Sequence, residues 1–354
     1  MSKFFYKDKQ LTGLDISSAS IKAMSIDAKK WLVNGYGSMD LDPLKVKEAL
    51  ETDGSSYLTD NIKTLFSEKI IGAMPNSSIA IALPTARSYC RTFTLPYSAE
   101  NALKEAVILE ADQYIPIPSS SLYIDYEIIE RDRKNKVVTV LMSAISKTIV
   151  DNAVRSVKDA GFQPILVEPS ISAVTRLLNA TESAELPTIV IDIGPTSTDI
   201  AILDKGNLRV TGGIAIGSNT FTLDIAKKLN IALENAHQLK VLNGLNAGPR
   251  QEKLREALTP SLERILTEVR KVVRYYSERI NNEQKLEQLL IVGSGSSLPG
   301  IGEYFTANLV IAARVASPWQ KFDFNKLQEP PRQFRPRYLT VAGLASINPG
   351  RVWK

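Results

Sequence analysis

Two lobes of one α/β design, each built on a mixed sheet, are what this 354-residue chain predicts, on the strength of three observations. "GLDISSASIKAMSI" from Gly13 and "VIDIGPTSTDIAIL" from Val190 share one order: an apolar strand ending in Asp-Ile, a run of small and hydroxyl residues, then a second apolar strand. With Asp15 laid on Asp192, Ile16 falls on Ile193, Ser20 on Ser197 and Ile26 on Leu203. A short polar turn follows each ("DAKK" at Asp27, "DKGN" at Asp204), and then a third strand-like run, "WLVNGYGSM" from Trp31 and "LRVTGGIAI" from Leu208. An order of strand, tight turn, strand, hairpin, strand that occurs twice indicates a duplicated unit. Elsewhere strands alternate with helical patterns, and with the hairpins this gives mixed sheets.

Composition narrows the function. Apolar residues make up 44% and charged residues 23%, ordinary values for a soluble globular chain with ample core. No apolar run reaches the ~18 residues of a membrane-spanning helix, and "MSKFFYKDKQ" lacks the apolar stretch of a signal peptide. A cytoplasmic location is expected. The single cysteine, Cys90, excludes an internal disulfide and a Cys-rich zinc site. The single histidine, His237, lies in the helix-like "ALENAHQLKVL", which argues against Ser-His-Asp and Cys-His chemistry. A net charge of +5 is small for this length, and the basic stretches lack the aromatic and glycine pattern of an RNA-binding sheet. No nucleic-acid partner is expected.

Residues 10–40 read as three strands. "NALKEAVILEADQYI", Asn101 to Ile115, reads as an amphipathic helix with Leu103, Val107, Ile108 and Ala111 on its apolar face. Ser98 offers a partial capping signal, and "IPIP" stops the helix because proline lacks an amide proton and restricts the residue before it. "SLYIDYEII" and "VVTVLMSAIS" flank a charged turn as a hairpin. "TIVDNAVRSVKDAGF" is a helix ended by Gly161. Further on come strand, turn and helix in "ILVEPSISAVTRLLNA", and one or two helices in "TFTLDIAKKLNIALENAHQLKVLNG". A long helix from Leu258 to Ile280 precedes strand, glycine loop and helix in "QLLIVGSGSSLPGIGEYF", and "YLTVAGLASI" is a terminal helix.

No G-x-x-x-x-G-K-[ST] string is present, and "GSGSSL" from Gly293 lacks the third glycine of a dinucleotide fingerprint. Two hairpin turns offer another way to hold a nucleotide, gripping its phosphates from opposite sides. Small residues let backbone amides approach the oxygens, and hydroxyls add donors. Ser17, Ser18 and Ser20 serve one turn; Gly194, Thr196, Ser197 and Thr198 serve the other. Asp15 and Asp192 would then face each other, and their like charges need a cation; Mg²⁺ held mostly through water is the natural choice.

These residues resemble the actin-like ATPase fold, which includes the heat-shock chaperone ATPases and the cell-division protein FtsA. "LDISSASIK" looks like its first phosphate motif and "IDIGPTSTDI" like its second. "ILVEPSISAVTRLL" resembles the connecting helix, with Glu168 where chaperones carry a carboxylate near the attacking water; the resemblance makes Glu168 the catalytic residue. "LLIVGSGSSLPGI" resembles the adenosine motif, whose loop (Gly293, Ser294, Gly295 and Ser296) lets a base and ribose pack on backbone. "EVRKVVRYYS" resembles the helix that borders adenine and ribose, bringing in Glu268 and Lys271. Gly217 joins the implied set, and Lys22 and Lys240 stand where the family also uses charge. ATP and Mg²⁺ are the implied cofactors, with Asp15 and Asp192 organising the metal.

The stretch "LPYSAENALKEAVILEADQYIPIPSSSLYIDYEII" is similar to a hallmark of the PilM family of type IV pilus assembly proteins: a proline-ended helix, then a strand with an Asp-Tyr pair. The resemblance runs from about Leu11 to Ser346. Two departures stand out. Ser17 follows Asp-Ile where the family usually has glycine, and Ser294 replaces a common second glycine. A side chain at either place crowds a phosphate or ribose, so ATP binding with slow or absent hydrolysis is expected.

The implied architecture is two duplicated ribonuclease-H-like lobes around a cleft. The first lobe spans residues 1–185, with an FtsA/PilM-type inserted subdomain at about 90–160; the second spans 186–354, with a helical subdomain at about 222–285. The implied function is a cytoplasmic scaffold of type IV pilus or related secretion assembly. It would dock the N-terminal tail of a PilN-like membrane protein, with Tyr114, Ile115 and Ile117 as groove residues, and so reach the inner membrane indirectly. Pilus motor ATPases or the platform protein are further implied partners. The alternative is an FtsA-like filament-forming protein; against FtsA's route to the membrane, the terminal apolar run breaks at Pro349.

Overall fold

The computed structural model describes residues 10–182, 186–246, 248, 251–281 and 285–347, so the Pro349 break lies outside the described residues. Strands β1 (Thr12–Ser17), β2 (Ser20–Asp27) and β3 (Leu32–Asp40) form an antiparallel meander, as expected. Helices α1 (Pro43–Glu51) and α2 (Tyr57–Glu68) follow, then β4 (Ile70–Gly72), β5 (Ser78–Leu83) and β6 (Ser88–Pro96); none of these was singled out from sequence. Next are α3 (Leu103–Tyr114), β7 (Leu122–Asp132), β8 (Val137–Ser146), α4 (Lys147–Asp159), β9 (Gln163–Pro169) and α5 (Ser170–Thr181). The second half runs β10 (Thr188–Ile193), β11 (Thr198–Asp204), β12 (Asn207–Ile214), α6 (Ser218–Leu229), α7 (Leu233–Leu242) and α8 (Glu252–Arg279). It closes with β13 (Gln288–Val292), α9 (Ile301–Leu309), β14 (Ala312–Val315) and α10 (Leu339–Ala345).

The duplication is visible in the strand order. One run is β3-β2-β1-β5-β9, the other β12-β11-β10-β13-β14. In both, an antiparallel meander is extended by two parallel strands. The central strands are covered on both faces, which is why "SIAIAL" and "TIVIDI" read as near-continuous apolar runs.

The chain divides into two compact units. The first holds the chain up to Leu177, Gln320–Glu329 and the segment from Thr340; the second holds Leu178–Trp319 and Pro330–Leu339. The first unit's main core joins Leu14, Ile16, Ile79 and Ile81 to Leu58, Ile62, Ala153 and Val157 of α2 and α4. The second unit's core joins Ile189, Ile191, Ile200 and Ile202 to Phe221 and to Leu258, Leu262, Ile265 and Val269 of α8.

A smaller cluster, also in the first unit, belongs to β6, β7, β8 and α3. Strand β8 lies between β6 and β7, and Val138, Val140, Met142 and Ala144 pack against Leu103, Val107 and Ala111 of α3. Ser98 does not cap α3. A 3₁₀ turn over Tyr97–Ala102 intervenes, so the helix starts at Leu103; Ile115 caps its end before Pro116. Gly161 ends α4 with φ +93°, as its position suggested. Asn230, left-handed at φ 52°, divides α6 from α7. Helix α8 begins at Glu252, earlier than expected, and carries Pro260 on its exposed side, where the carbonyl deprived of a partner faces water. Among the described residues no helix is long and apolar enough to cross a membrane.

The terminal helix α10 meets α5 backbone to backbone. A Cβ added to Gly343 would lie 2.0 Å from the Ala173 carbonyl oxygen, and Arg176 Nη1 donates to the Gly343 carbonyl at 3.2 Å. Gly343→Ala is therefore expected to lower stability by about 1–3 kcal/mol, the range for overpacking. Urea unfolding of the purified variant against wild type checks this.

Candidate functional site

In the first unit the candidate residues gather on the β1–β2 hairpin. Its register sets Ser17 opposite Ser20 and Asp15 opposite Lys22, leaving Ser18 and Ala19 as the turn. Lys22 Nζ donates to Asp15 Oδ2 at 2.7 Å and to Ser17 Oγ at 3.2 Å. Both charged side chains are buried, Lys22 8% and Asp15 4% exposed. Ser17 Oγ also bonds the Ser20 carbonyl (2.9 Å) and the Ser20 hydroxyl (2.8 Å). The turn is therefore held by its own hydroxyls. Asp15 Oδ1 is buried and accepts no hydrogen bond among the described residues.

In the second unit the β10–β11 hairpin repeats the register: Asp192 lies opposite Asp199, and Gly194 N–H bonds the Ser197 carbonyl at 2.9 Å. The start of α6 is packed beneath this turn. Amides of Ser218 and Asn219 donate to the carbonyls of Gly194 and Pro195, both at 2.9 Å. A Cβ on Gly217 would stand 2.5 Å from the Gly194 oxygen, so glycine here permits the contact. Thr198 is fully buried and its hydroxyl donates to the Ile216 carbonyl at 2.7 Å, a structural role. Thr196 and Ser197 are half-buried on the turn.

The glycine loop after β13 lies against the same turn. Gly293 adopts φ +82°, and a Cβ there would be 2.2 Å from Asp192 Oδ1; a Cβ on Gly295 would be 2.2 Å from Ile193 Cγ2. These glycines let the loop approach β10 itself, and Ser296 ties it by donating to the Gly293 carbonyl at 2.8 Å. Beside the loop is a small pocket lined by Ser218, Phe221, Lys240, Val241, Ser294, Gly295, Ser297 and Leu298. Its free space, about 10 Å³, is room for one water-sized group, far short of the roughly 300–1,000 Å³ of a whole-ligand pocket. Ser294 Oγ is buried there with no hydrogen-bond partner among the described residues. Lys240 is 7% exposed and donates to the Ser218 carbonyl (2.9 Å) and Thr222 Oγ1 (2.8 Å). Burial pulls its pKa down to about 8.

Other expected residues are engaged elsewhere. Glu168 is held by Arg176, which donates to both carboxylate oxygens, so its orientation is set by a guanidinium fork. Glu268 and Lys271 pair with each other at 3.0 Å on α8 and do not line the cavity. Helices α6 and α7 border it instead. The cavity residues beyond the glycine loop escaped sequence reasoning, apart from Lys240. Its signal was the family resemblance, which uses charge at that place; in the structure Lys240 follows Ala236 by four residues, on the buried face of α7. His237 lies on the exposed side of that helix.

The fit of a divalent cation divides by hairpin. At Asp15, direct ligation would set a dication against an ammonium 2.7 Å from the same carboxylate. The buried Oδ1 suits a hydrogen bond from a metal-bound water. At the second hairpin two carboxylates, Asp192 and Asp199, share a cross-strand position.

Comparison with known proteins gives one family. The model of the type IV pilus assembly protein PilM matches residues 13–347. Among curated proteins, cell division protein FtsA of Borreliella burgdorferi is 27% identical over 192 residues, 49% of this chain and 46% of FtsA. FtsA of Bacillus subtilis is 30% identical over 149 residues, 38% and 33% of the two chains. The chain thus spans less than half the length of these relatives. Among solved structures, a chain of a PilM-PilN type IV pilus biogenesis complex aligns with a TM-score of 0.79 and 21% identity, covering 96% of this chain and 98% of that one. Ethanolamine utilization protein EutJ of Carboxydothermus hydrogenoformans gives 0.56 at 17% identity, covering 94% and 88%. MreB5 of Spiroplasma citri bound to AMPPNP gives 0.51 at 16% identity, covering 95% and 94%. These likenesses show the fold, which is the actin-like one the hairpins had suggested.

The buried ammonium in the second unit has a measurable consequence. A lysine with a folded pKa of about 8, below the unfolded value of about 10.4, binds fewer protons when folded across that interval. The cost of its buried charge is fully present below pH 8 and is relieved as pH rises toward 10.4. Lys240→Met removes the titration. Wild type should gain roughly 3 kcal/mol on the variant between those limits, read from denaturant unfolding at stepped pH.

Proposed function

This chain belongs to the PilM family of type IV pilus assembly proteins, and from that premise we propose that it is a nucleotide-binding scaffold that docks the tail of a PilN-like membrane protein. The observation that carries the nucleotide reading is the glycine loop packed on the hairpin of Asp192, where a Cβ at Gly293 or Gly295 would overlap β10. Beside it Lys240 and the unpartnered Ser294 hydroxyl stand with Phe221 and Leu298 around a small pocket. The loop suits the ribose or the edge of a base, and the adjacent turn suits phosphates. ATP is the nucleotide of choice, since MreB5 was solved with AMPPNP on a similar fold. Mg²⁺ would be held through phosphates and water, with Asp192 as an organiser and Asp15, already paired with Lys22, acting through a water. Ser17, Ser18, Ser20, Gly194, Thr196 and Ser197 would frame the phosphates. Hydrolysis would be slow or absent. Glu168, clamped by Arg176, is poorly disposed to turn a water, and Pro195 has no amide proton to offer the second phosphate turn.

The docking reading rests on the surface around Tyr114. Its ring is 49% exposed at the end of α3, and the Arg91 guanidinium stacks 3.2 Å from the ring centroid. Ile115 is buried in the core of this region and Ile117 half-buried at its edge, so Tyr114 is the residue left to meet a partner. An extended peptide with apolar anchors suits such a surface. Docking would bring the chain to the inner face of the membrane. A motor ATPase or platform protein would be met by other surfaces.

Calorimetry with ATP tests the nucleotide reading. Asp192→Ala should weaken Mg-ATP binding by about 1–3 kcal/mol. Phosphate release should stay well below one turnover per second and be unchanged in Glu168→Ala; faster turnover lost in that variant would restore Glu168 as catalytic. For docking, a fluorescent peptide of the partner's N-terminal tail should bind saturably, and Tyr114→Ala should weaken it about tenfold. Long protofilaments with ATP by electron microscopy would favour the FtsA-like alternative instead.

A further inference from the structure

The loop that leads into α10 combines positive charge, an exposed aromatic ring and a fixed shape. It belongs to the second unit and runs from Pro330 to Tyr338. Both end residues are buried, and those between them are exposed or half-buried. Its sequence, "PPRQFRPRY", supplies Arg332, Arg335 and Arg337, and from Pro330 to the last residue the chain holds no Asp or Glu. The loop is closed by its own hydrogen bonds. Amides of Phe334 and Arg335 donate to the Pro331 carbonyl at 2.8 and 3.2 Å, and the Arg337 amide donates to the Phe334 carbonyl at 3.1 Å. Arg335 Nε donates to the Pro330 carbonyl at 3.0 Å, and a 3₁₀ turn over Arg335–Tyr338 completes it. Prolines at its start and within that turn restrict the backbone further. This turn holds Phe334 outward at 46% exposure. Among the described residues it is the only phenylalanine left exposed.

We propose that this loop touches the bilayer directly: Phe334 enters the headgroup region of an anionic membrane, Arg332 pairs with lipid phosphates, and Arg335 and Arg337 add positive charge behind it. A single exposed apolar residue is ordinary on a protein surface. A closed turn, flanking arginines and the lack of any carboxylate in the sequence that follows set this one apart. A duplex backbone or an acidic peptide would use the arginines alone. A bilayer interface uses both features. It takes the aromatic ring among the headgroups, while arginine stems lie along the apolar boundary and the guanidiniums reach phosphate. Each arginine near such a surface strengthens binding about fivefold, so this loop alone gives a weak, reversible contact. The contact adds to the proposed tail docking and does not require it. A docked tail would keep the bilayer close, and a weak lipid contact then becomes occupied.

The test is flotation of the purified full chain, with no partner protein, on two kinds of vesicle: phosphatidylcholine alone, and equal parts phosphatidylcholine and phosphatidylglycerol. Wild type should float with the anionic vesicles and not with the neutral ones, and high salt should release it. Phe334→Ser should weaken partition about fivefold. Arg332→Glu, which removes a positive charge and adds a negative one, should weaken it roughly tenfold or more. Lys63→Glu makes the same change of net charge at an exposed position of α2 and should float as wild type does. Both loop residues are exposed, so both variants should melt with wild type by circular dichroism. Wild type that floats with neither vesicle overturns the proposal, and so does undiminished flotation of Phe334→Ser. Equal loss in Arg332→Glu and Lys63→Glu overturns it too, since the attraction would then belong to net charge and not to the loop. A fluorescent polyglutamate peptide that binds wild type and is weakened by Arg332→Glu, with no vesicle binding, would make the loop an acidic-peptide site instead.

Discussion

The antiparallel register of two short hairpins governs which charges meet in this protein. In each, the residue seven places after the aspartate is its cross-strand partner. That register is protected from slipping. Strands β1 and β10 are each flanked on the other side by a parallel strand, β5 and β13, and are covered on both faces. A shift by one residue would turn Leu14 and Ile16, or Ile191 and Ile193, out of their cores and drive the charged residues in. The apolar layers thus do more than stabilise the sheets. They hold Asp15 and Lys22, and Asp192 and Asp199, at fixed partners.

Around the second hairpin the constraint continues through atoms that are absent. The glycine loop, the turn at Gly194 and the start of α6 are in backbone contact, and a methyl group at Gly217, Gly293 or Gly295 would overlap a neighbour. The result is a rigid platform on which few side chains face outward. Lys240 and Ser294 are the exceptions, polar groups held at a cavity wall whose other members are mostly apolar or small. Burial of an ammonium is tolerated there because two hydrogen bonds, to the Ser218 carbonyl and the Thr222 hydroxyl, replace part of its hydration. Its pKa is lowered because burial still strips hydration that these two bonds do not replace.

The duplicated strand order was legible because both Asp-Ile hairpins keep their spacing, and spacing survives in the residues themselves. The glycine loop was legible for the same reason. The fates of individual hydroxyls were not. Thr198 and Ser296 belong to the motifs that suggest phosphate or ribose contact, yet their hydroxyls bond the Ile216 and Gly293 carbonyls. Whether a hydroxyl faces a ligand or ties down a turn depends on a rotamer set by tertiary neighbours. Glu268 and Lys271 pair with each other on α8: a long helix offers many charged faces, and only packing decides which one borders a cavity. Helices α1 and α2 passed unread because their apolar faces, Val46, Ala49 and Leu50 or Leu58, Ile62 and Leu65, are short and uncapped by strong signals apart from Asp42.

Duplication explains why charge could diverge where geometry could not. Once two hairpins share a register, the cross-strand position opposite the aspartate is a site where side chains can change without disturbing the backbone, since its neighbours along the strand carry the packing. Placing lysine there in the first copy makes a self-neutralised turn; placing aspartate there in the second makes a turn that concentrates negative charge. One turn thus carries a resident ammonium and the other paired carboxylates, and the difference follows from a single residue type at equivalent positions of a repeated fold.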